Sequence, residues 1–164
     1  MGNDPDLRQH LVILLEGKGA HLTFDAVIDD WPAEARTRKP HGAPHSAWQL
    51  LEHMRIAQRD ILDFCVKREY VEPCFPDDYW PPGDEVPDNA AWTGSVERFA
   101  HDLEQMQQLV ADSKTDLRAI IPHGTGQTVL REAFVVADHN AYHLGQLVLL
   151  RRLLGIWNSP ASAL

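Results

Sequence analysis

Apolar residues along this chain recur at steps of three and four with no convincing alternation, a pattern that predicts helices and no strands. The first run is Leu7, Leu11, Leu14 and Leu15. Asp4 stands before it as an N-cap with Pro5 in the first turn, and Gly17 and Gly19 stop it. Thr23 can cap a short piece carrying Phe24, Val27, Ile28 and Trp31, which Pro32 helps to end. From Ala33 to Pro44 the chain turns polar and reads as a surface crossing. Ser46 opens a long helix whose stripe is Ala47, Leu50, Leu51, Met54, Ala57, Ile61, Phe64 and Cys65.

Between Tyr70 and Trp92 the breakers Pro73, Pro76, Pro81, Pro82, Gly83 and Pro87 rule out a regular helix. Loops of that length are usually functional or mobile. Phe75, Tyr79 and Trp80 are costly to leave in water, so part of this loop is expected to pack over one end of the helices as a lid. Thr93 or Ser95 starts the next helix, with Val96, Phe99, Leu103, Met106 and Leu109 or Val110 as its stripe. After a pause from Asp112 to Gly126, Thr128 caps a final helix that runs to about Leu154 and stops at Gly155. Leu130, Phe134, Ala137, Ala141, Leu144 and Val148 form one stripe on it; Glu132, Val135, His139, His143, Gln146 and Leu150 form the neighbouring one. A helix apolar over so much of its circumference is buried among others or in a dimer interface. The expectation is an all-α four-helix bundle with long connections, a single domain over residues 1–164 that need not be simple up-down-up-down.

Composition narrows the partners. The chain has 164 residues and a formal net charge of -9, which argues against non-specific binding to nucleic acid or an anionic membrane. Arg36, Arg38 and Lys39 form the one small basic patch that the sequence suggests. Cys65 and Cys74 are the only cysteines and show no Cys-x-x-Cys spacing, which fits a reducing compartment. With no signal-like N-terminal stretch and no apolar run of membrane-spanning length, the expected location is the cytoplasm. A metal site in such a chain must be built from histidines and carboxylates, and nine histidines are present.

Two of them stand out. His139 and His143 are one helical turn apart, so they share a face about 6 Å apart along the axis and can converge on one ion. The competing reading is a pair of core histidines bonded to backbone or carboxylate. Each would then need partners for both ring nitrogens, and a metal satisfies both at once. His53 borders the apolar stripe of its own long helix, which makes it the candidate third ligand and leaves a fourth position for water. The pair is not a zincin motif, because Asn140 stands where that motif needs Glu. His45 reads as a capping or supporting group. His10, His21, His41, His101 and His123 read as solvated or locally bonded. Gly145 allows a close approach beside the site; Gln146 reads equally as a hydrogen-bond partner for a ligand and as structural. Tyr142 reads as a core aromatic ahead of a proton donor, and Glu132 as a solvated first-turn residue ahead of a supporting carboxylate.

The stretch Ser46-Ala47-Trp48-Gln49-Leu50-Leu51-Glu52-His53, followed by His139-Asn140-Ala141-Tyr142-His143-Leu144-Gly145-Gln146, resembles the DinB/YfiT-like metalloenzyme superfamily. The likeness runs from the first helix to Gly155. It implies a four-helix bundle, commonly dimeric, in which His53, His139 and His143 hold a divalent metal. Zinc is the foremost expectation, with nickel, iron and manganese as alternatives. Related members include bacillithiol S-transferases, mycothiol-dependent maleylpyruvate isomerases and the N-terminal part of ergothioneine-forming enzymes. The resemblance therefore implies a homodimeric enzyme acting on a small molecule, either transferring a low-molecular-weight thiol to an electrophile or hydrolysing its substrate. The alternative is a helical dimer whose metal serves structure or stress sensing without turnover.

Overall fold

Asp4 opens the first helix as its position predicts: its carboxylate accepts the Leu7 amide at 3.1 Å, and α1 runs Pro5–Leu15. Gly17, at φ +67°, takes the left-handed turn that ends it. In the computed structural model, which describes residues 4–82 and 85–157, four further α-helices follow. They are α2 (Phe24–Ile28), α3 (Ala47–Val66), α4 (Asn89–Ala111) and α5 (Val129–Leu153). Thr23 and Thr128 cap α2 and α5, while Ser46 and Gln49 cap α3 reciprocally. Among the described residues there is no strand, only one bridge between Ile120 and Thr128. Gly83 and both ends of the expected 1–164 domain lie outside the described residues.

Side-chain pairs give the directions of the helices. On α3 and α4, Glu52 meets Ser95 and Arg59 meets Asp102, so the two run parallel. On α3 and α5, His53 lies beside His139 and His143, whereas Phe64 lies beside His123 just ahead of α5, so these run antiparallel. Arg8 near the start of α1 donates to the carbonyls of Val110 and Asp112 at the end of α4, which makes that pair antiparallel as well. Two consecutive parallel helices need a return crossover. The 20 residues of α3 span about 30 Å, and the proline-rich segment after Tyr70 covers that distance. Its length follows from topology, and its path carries it past the bundle.

The core has two regions. One joins α2 to the first turns of α3 and the last of α5 through Phe24, Val27, Trp48, Leu51, Phe99 and Leu147. The other gathers Leu11, Leu15, Leu62, Met106, Val110 and Val136 at the opposite end. Deep between α3, α4 and α5 sits Gln58, whose Nε2 donates to the Phe99 carbonyl and whose Oε1 accepts from Asn140 Nδ2, both at 2.8 Å. Buried amides are tolerated when bonded in this way.

Several expectations require correction. α4 begins at Asn89, ahead of Thr93, because Asp88 caps it through the Ala91 amide at 2.7 Å; the apolar stripe begins only later and hid this first turn. The Ala33–Pro44 crossing is not all surface. Ala35 is fully buried, and Arg36 is buried over the Trp92 ring with its Nη1 on Asn89 Oδ1, so Arg36 belongs to no basic patch. On α5 the inward face is Val129, Ala133, Val136, Asn140, Leu144 and Leu147, which lies between the two predicted stripes, and Phe134 is exposed. Hydrophobicity alone cannot fix the phase of a helix that is apolar nearly all round. Leu14 and Phe75 are likewise exposed.

Candidate metal centre

The packing of α3 against α5 brings His53, His139 and His143 together. One ring nitrogen from each lies within 4.8 Å of the other two. His53 Nε2 and His139 Nε2 are 3.1 Å apart. Two imidazoles bound to one zinc at about 2.0–2.1 Å, with angles between octahedral and tetrahedral, place their nitrogens about 2.9–3.4 Å apart. The observed pair therefore fits a shared ion without rearrangement.

Two of the three remaining ring nitrogens, those of His53 and His143, are already committed. His53 Nδ1 is 2.9 Å from the Tyr79 carbonyl, which can only accept, so Nδ1 carries the proton and Nε2 keeps its lone pair. His143 Nδ1 donates in the same way to Gln146 Oε1 at 3.0 Å. Fixing the tautomer through the outer nitrogen is how proteins orient imidazoles toward metals. The Trp80 ring lies parallel on His53, 3.9 Å between centroids and 1° apart in tilt, and His45 stacks on Trp80 at 4.1 Å. Tyr79 is tied down in turn, since its hydroxyl and that of Tyr70 donate to the two oxygens of Asp60. The crossover thus reaches the centre as a strap over His53.

Burial dominates the electrostatics. It lowers the pKa of all three histidines, and in His139 the neighbouring His143 and His53 add to it, giving about 4. The cluster is therefore neutral at physiological pH, with lone pairs free. In the metal-free protein this couples to stability. The unfolded chain binds protons on these histidines below about pH 6.5, whereas folded His139 binds its proton only near 4. Stability is then full above pH 6.5 and falls as the pH drops toward 4. A Tm series on chelator-treated protein should decline across that window; a flat profile would contradict the assignment of neutral, buried imidazoles.

The structure sorts the other candidates. Gln146 bonds His143 through its Oε1. His45 does not cap α3, a role that Ser46 fills, but packs on Trp80. Tyr142 is no core aromatic: it is 66% exposed, with its ring edge-on to that of His143 and the two centroids 5.0 Å apart. A Cβ on Gly145 would meet nothing within 4 Å, so no part of the described chain approaches it closely. Glu132 is not solvated but 3% exposed, held by Arg131 at 2.6 Å. Sequence reasoning flagged Tyr79 and Trp80 as loop aromatics without assigning them to His53, and it missed Asp60. A carboxylate on the solvent side of an apolar stripe carries no sign of the two hydroxyls that will reach it.

A helical bundle with three neutral histidines converging from two helices defines a protein able to bind a divalent metal. The model of the DinB superfamily matches residues 20–147, and the chain belongs to that superfamily. No match was found among curated proteins or solved structures. No helix among the described residues is long and apolar enough to cross a membrane.

Proposed function

We propose that this protein is a metal-dependent transferase that joins a low-molecular-weight thiol to a small electrophile. The observation that carries the reading is the composition of the centre: three neutral imidazoles and, among the described residues, no carboxylate or cysteine close enough to complete the set. Neutral imidazole donors suit zinc first, with nickel and iron also compatible. When bound, a divalent ion acts as a Lewis acid and lowers the pKa of a thiol or water at the open position. Neither Cys65 nor Cys74 belongs to the histidine group, and burial and the nearby Glu132 push the Cys65 thiol up to about 12. The nucleophile then comes from outside. Its sulfur forms a bond to the electrophilic carbon, the bond from that carbon to the leaving group breaks with its electron pair, and the thiol proton passes to solvent. His53 and His143, fixed by Tyr79 and Gln146, hold their Nε2 atoms toward the centre, and Trp80 covers one face of His53 against water.

The test is an assay of the metal-reconstituted protein with bacillithiol, mycothiol, glutathione and cysteine against chlorinated and epoxide electrophiles. Metal-dependent conjugation with one thiol is the expected result. Turnover of ester or amide substrates without thiol would favour metal-dependent hydrolysis. Stoichiometric metal with no turnover on either set would favour the non-catalytic reading.

The same reading includes a homodimer. Phe134, Tyr142, Leu149 and Leu153 are exposed on one outer stripe of α5, with Gly145 open among them, a surface that a second copy can cover. Sedimentation velocity should give a species of twice the chain mass, and Leu149→Glu should shift it to the monomer. A wild-type monomer at micromolar concentration would remove this part.

A further inference from the structure

Two turns along the α3–α5 groove from the histidines, about 10 Å by helix rise, lies a cavity of about 560 Å³ with Asp60, Glu72 and Glu132 in its lining. That volume is within the range of small-molecule sites. We propose that it is a second binding site, separate from the histidine centre, for a small organic cation that joins an ammonium group to an aromatic or apolar body.

Charge is the first argument. Three carboxylates line the cavity against a single guanidinium, that of Arg131, which is already spent on Glu132 Oε1. Glu132 is the informative member. As a residue it is only 3% exposed, and its Oε1 accepts from Arg131. Its Oε2, which accepts no hydrogen bond among the described residues, is not one of the buried atoms left without a partner, so it is the accessible edge of this carboxylate. A carboxylate oxygen that is accessible and has no protein donor is open to a ligand N–H. Asp60 offers no bare oxygen, because both its oxygens accept from tyrosine hydroxyls.

Shape points the same way. Among the described residues, only the three histidines form a group close enough to hold a metal ion, so the cavity carboxylates do not converge on a point. Spread charges suit a cation larger than a bare ion. One wall is aromatic: Tyr70 stacks with the His123 ring at 5.6 Å, and Phe64 meets both edge-on. His123 is held in that wall by the Phe64 carbonyl, 3.0 Å from its Nε2. Gly124 belongs to the same wall, where a Cβ would come within 3.1 Å of the Phe64 ring. Aromatic faces beside carboxylates favour an ammonium with an organic body over an anion or a neutral molecule.

The experiment uses the full chain, metal-free, so that its result is independent of the proposed thiol chemistry. Benzylammonium, benzyl alcohol and benzoate are titrated at pH 7 and followed by amide and side-chain chemical shifts. Saturable binding of benzylammonium is expected, with the largest shifts at Tyr70, His123 and Glu132 and small ones at His139 and His143. Benzyl alcohol and benzoate should each bind about tenfold more weakly or worse, and Glu132→Gln should weaken benzylammonium by about tenfold. If Glu132→Gln loses its fold by circular dichroism, Glu72→Gln, on the exposed strap, should still weaken binding a few-fold. Equal binding of benzyl alcohol, tighter binding of benzoate, shifts centred on His139 and His143, or no saturable binding of any probe would each overturn the proposal.

Discussion

His53→Ala should abolish stoichiometric divalent-metal binding, with affinity falling by at least about 100-fold, while the helical fold survives. The two remaining histidines of the cluster, His139 and His143, sit on one turn of α5, and two neutral nitrogens in water would hold zinc far more weakly than three in a closed wall. Survival of the fold follows from the position. Residue 53 lies inside the 20-residue α3, where alanine is the best helix former. The loss leaves the Tyr79 carbonyl without its donor, at a cost of about 1–3 kcal/mol, a fraction of a typical domain's stability. Metal content after dialysis, calorimetric titration with zinc and far-ultraviolet circular dichroism together decide the matter. His45→Ala is the control, since His45 touches Trp80 and lies outside the three-nitrogen group. Unchanged metal content in His53→Ala, or wild-type protein that takes up no metal after reconstitution, would refute the three-histidine centre.

Much of this was legible in the sequence because it depends on local rules. Asp4, Thr23, Ser46 and Thr128 each cap a helix where a short polar side chain precedes an apolar run. His139 and His143 share a face because helical geometry makes i and i+4 neighbours. His53 could be singled out because it stands beside an apolar stripe on a long helix, and the fold brings its Nε2 to 3.1 Å from that of His139. What stayed hidden depends on tertiary arrangement. Nothing in the sequence says that α3 and α4 run parallel, and only that arrangement sends the crossover past His53 to place the Tyr79 carbonyl and the Trp80 ring there. Glu132 misled for the same reason. At the start of a helix a glutamate is expected in water, and only the approach of the Tyr70–Glu72 strap and Gly124 closes a cavity over it.

The largest loss of stability is expected from Phe99→Ala, about 3–5 kcal/mol. Phe99 is almost fully buried in the middle of α4 and stacks on Phe24 with centroids 4.1 Å apart. Its loss would remove the principal aromatic contact of α2, a five-residue helix too short to persist without tertiary packing. Arg151 on α5 holds the end of that helix through the carbonyls of Val27 and Asp29, so loosening should spread toward the turns of α5 that follow His143. The Gln58–Asn140 pair beneath it makes its second bond to the Phe99 carbonyl, a backbone atom that the substitution keeps. The damage should therefore come from a cavity and not from a stranded polar group. Phe99→Leu, which refills most of that volume, should cost well under half as much. Urea unfolding of the two variants measures the difference directly. A loss below about 1 kcal/mol in Phe99→Ala would mean that α2 is not docked through this ring, and equal losses in the two variants would mean that the stacking, and not the filled volume, holds α2 in place.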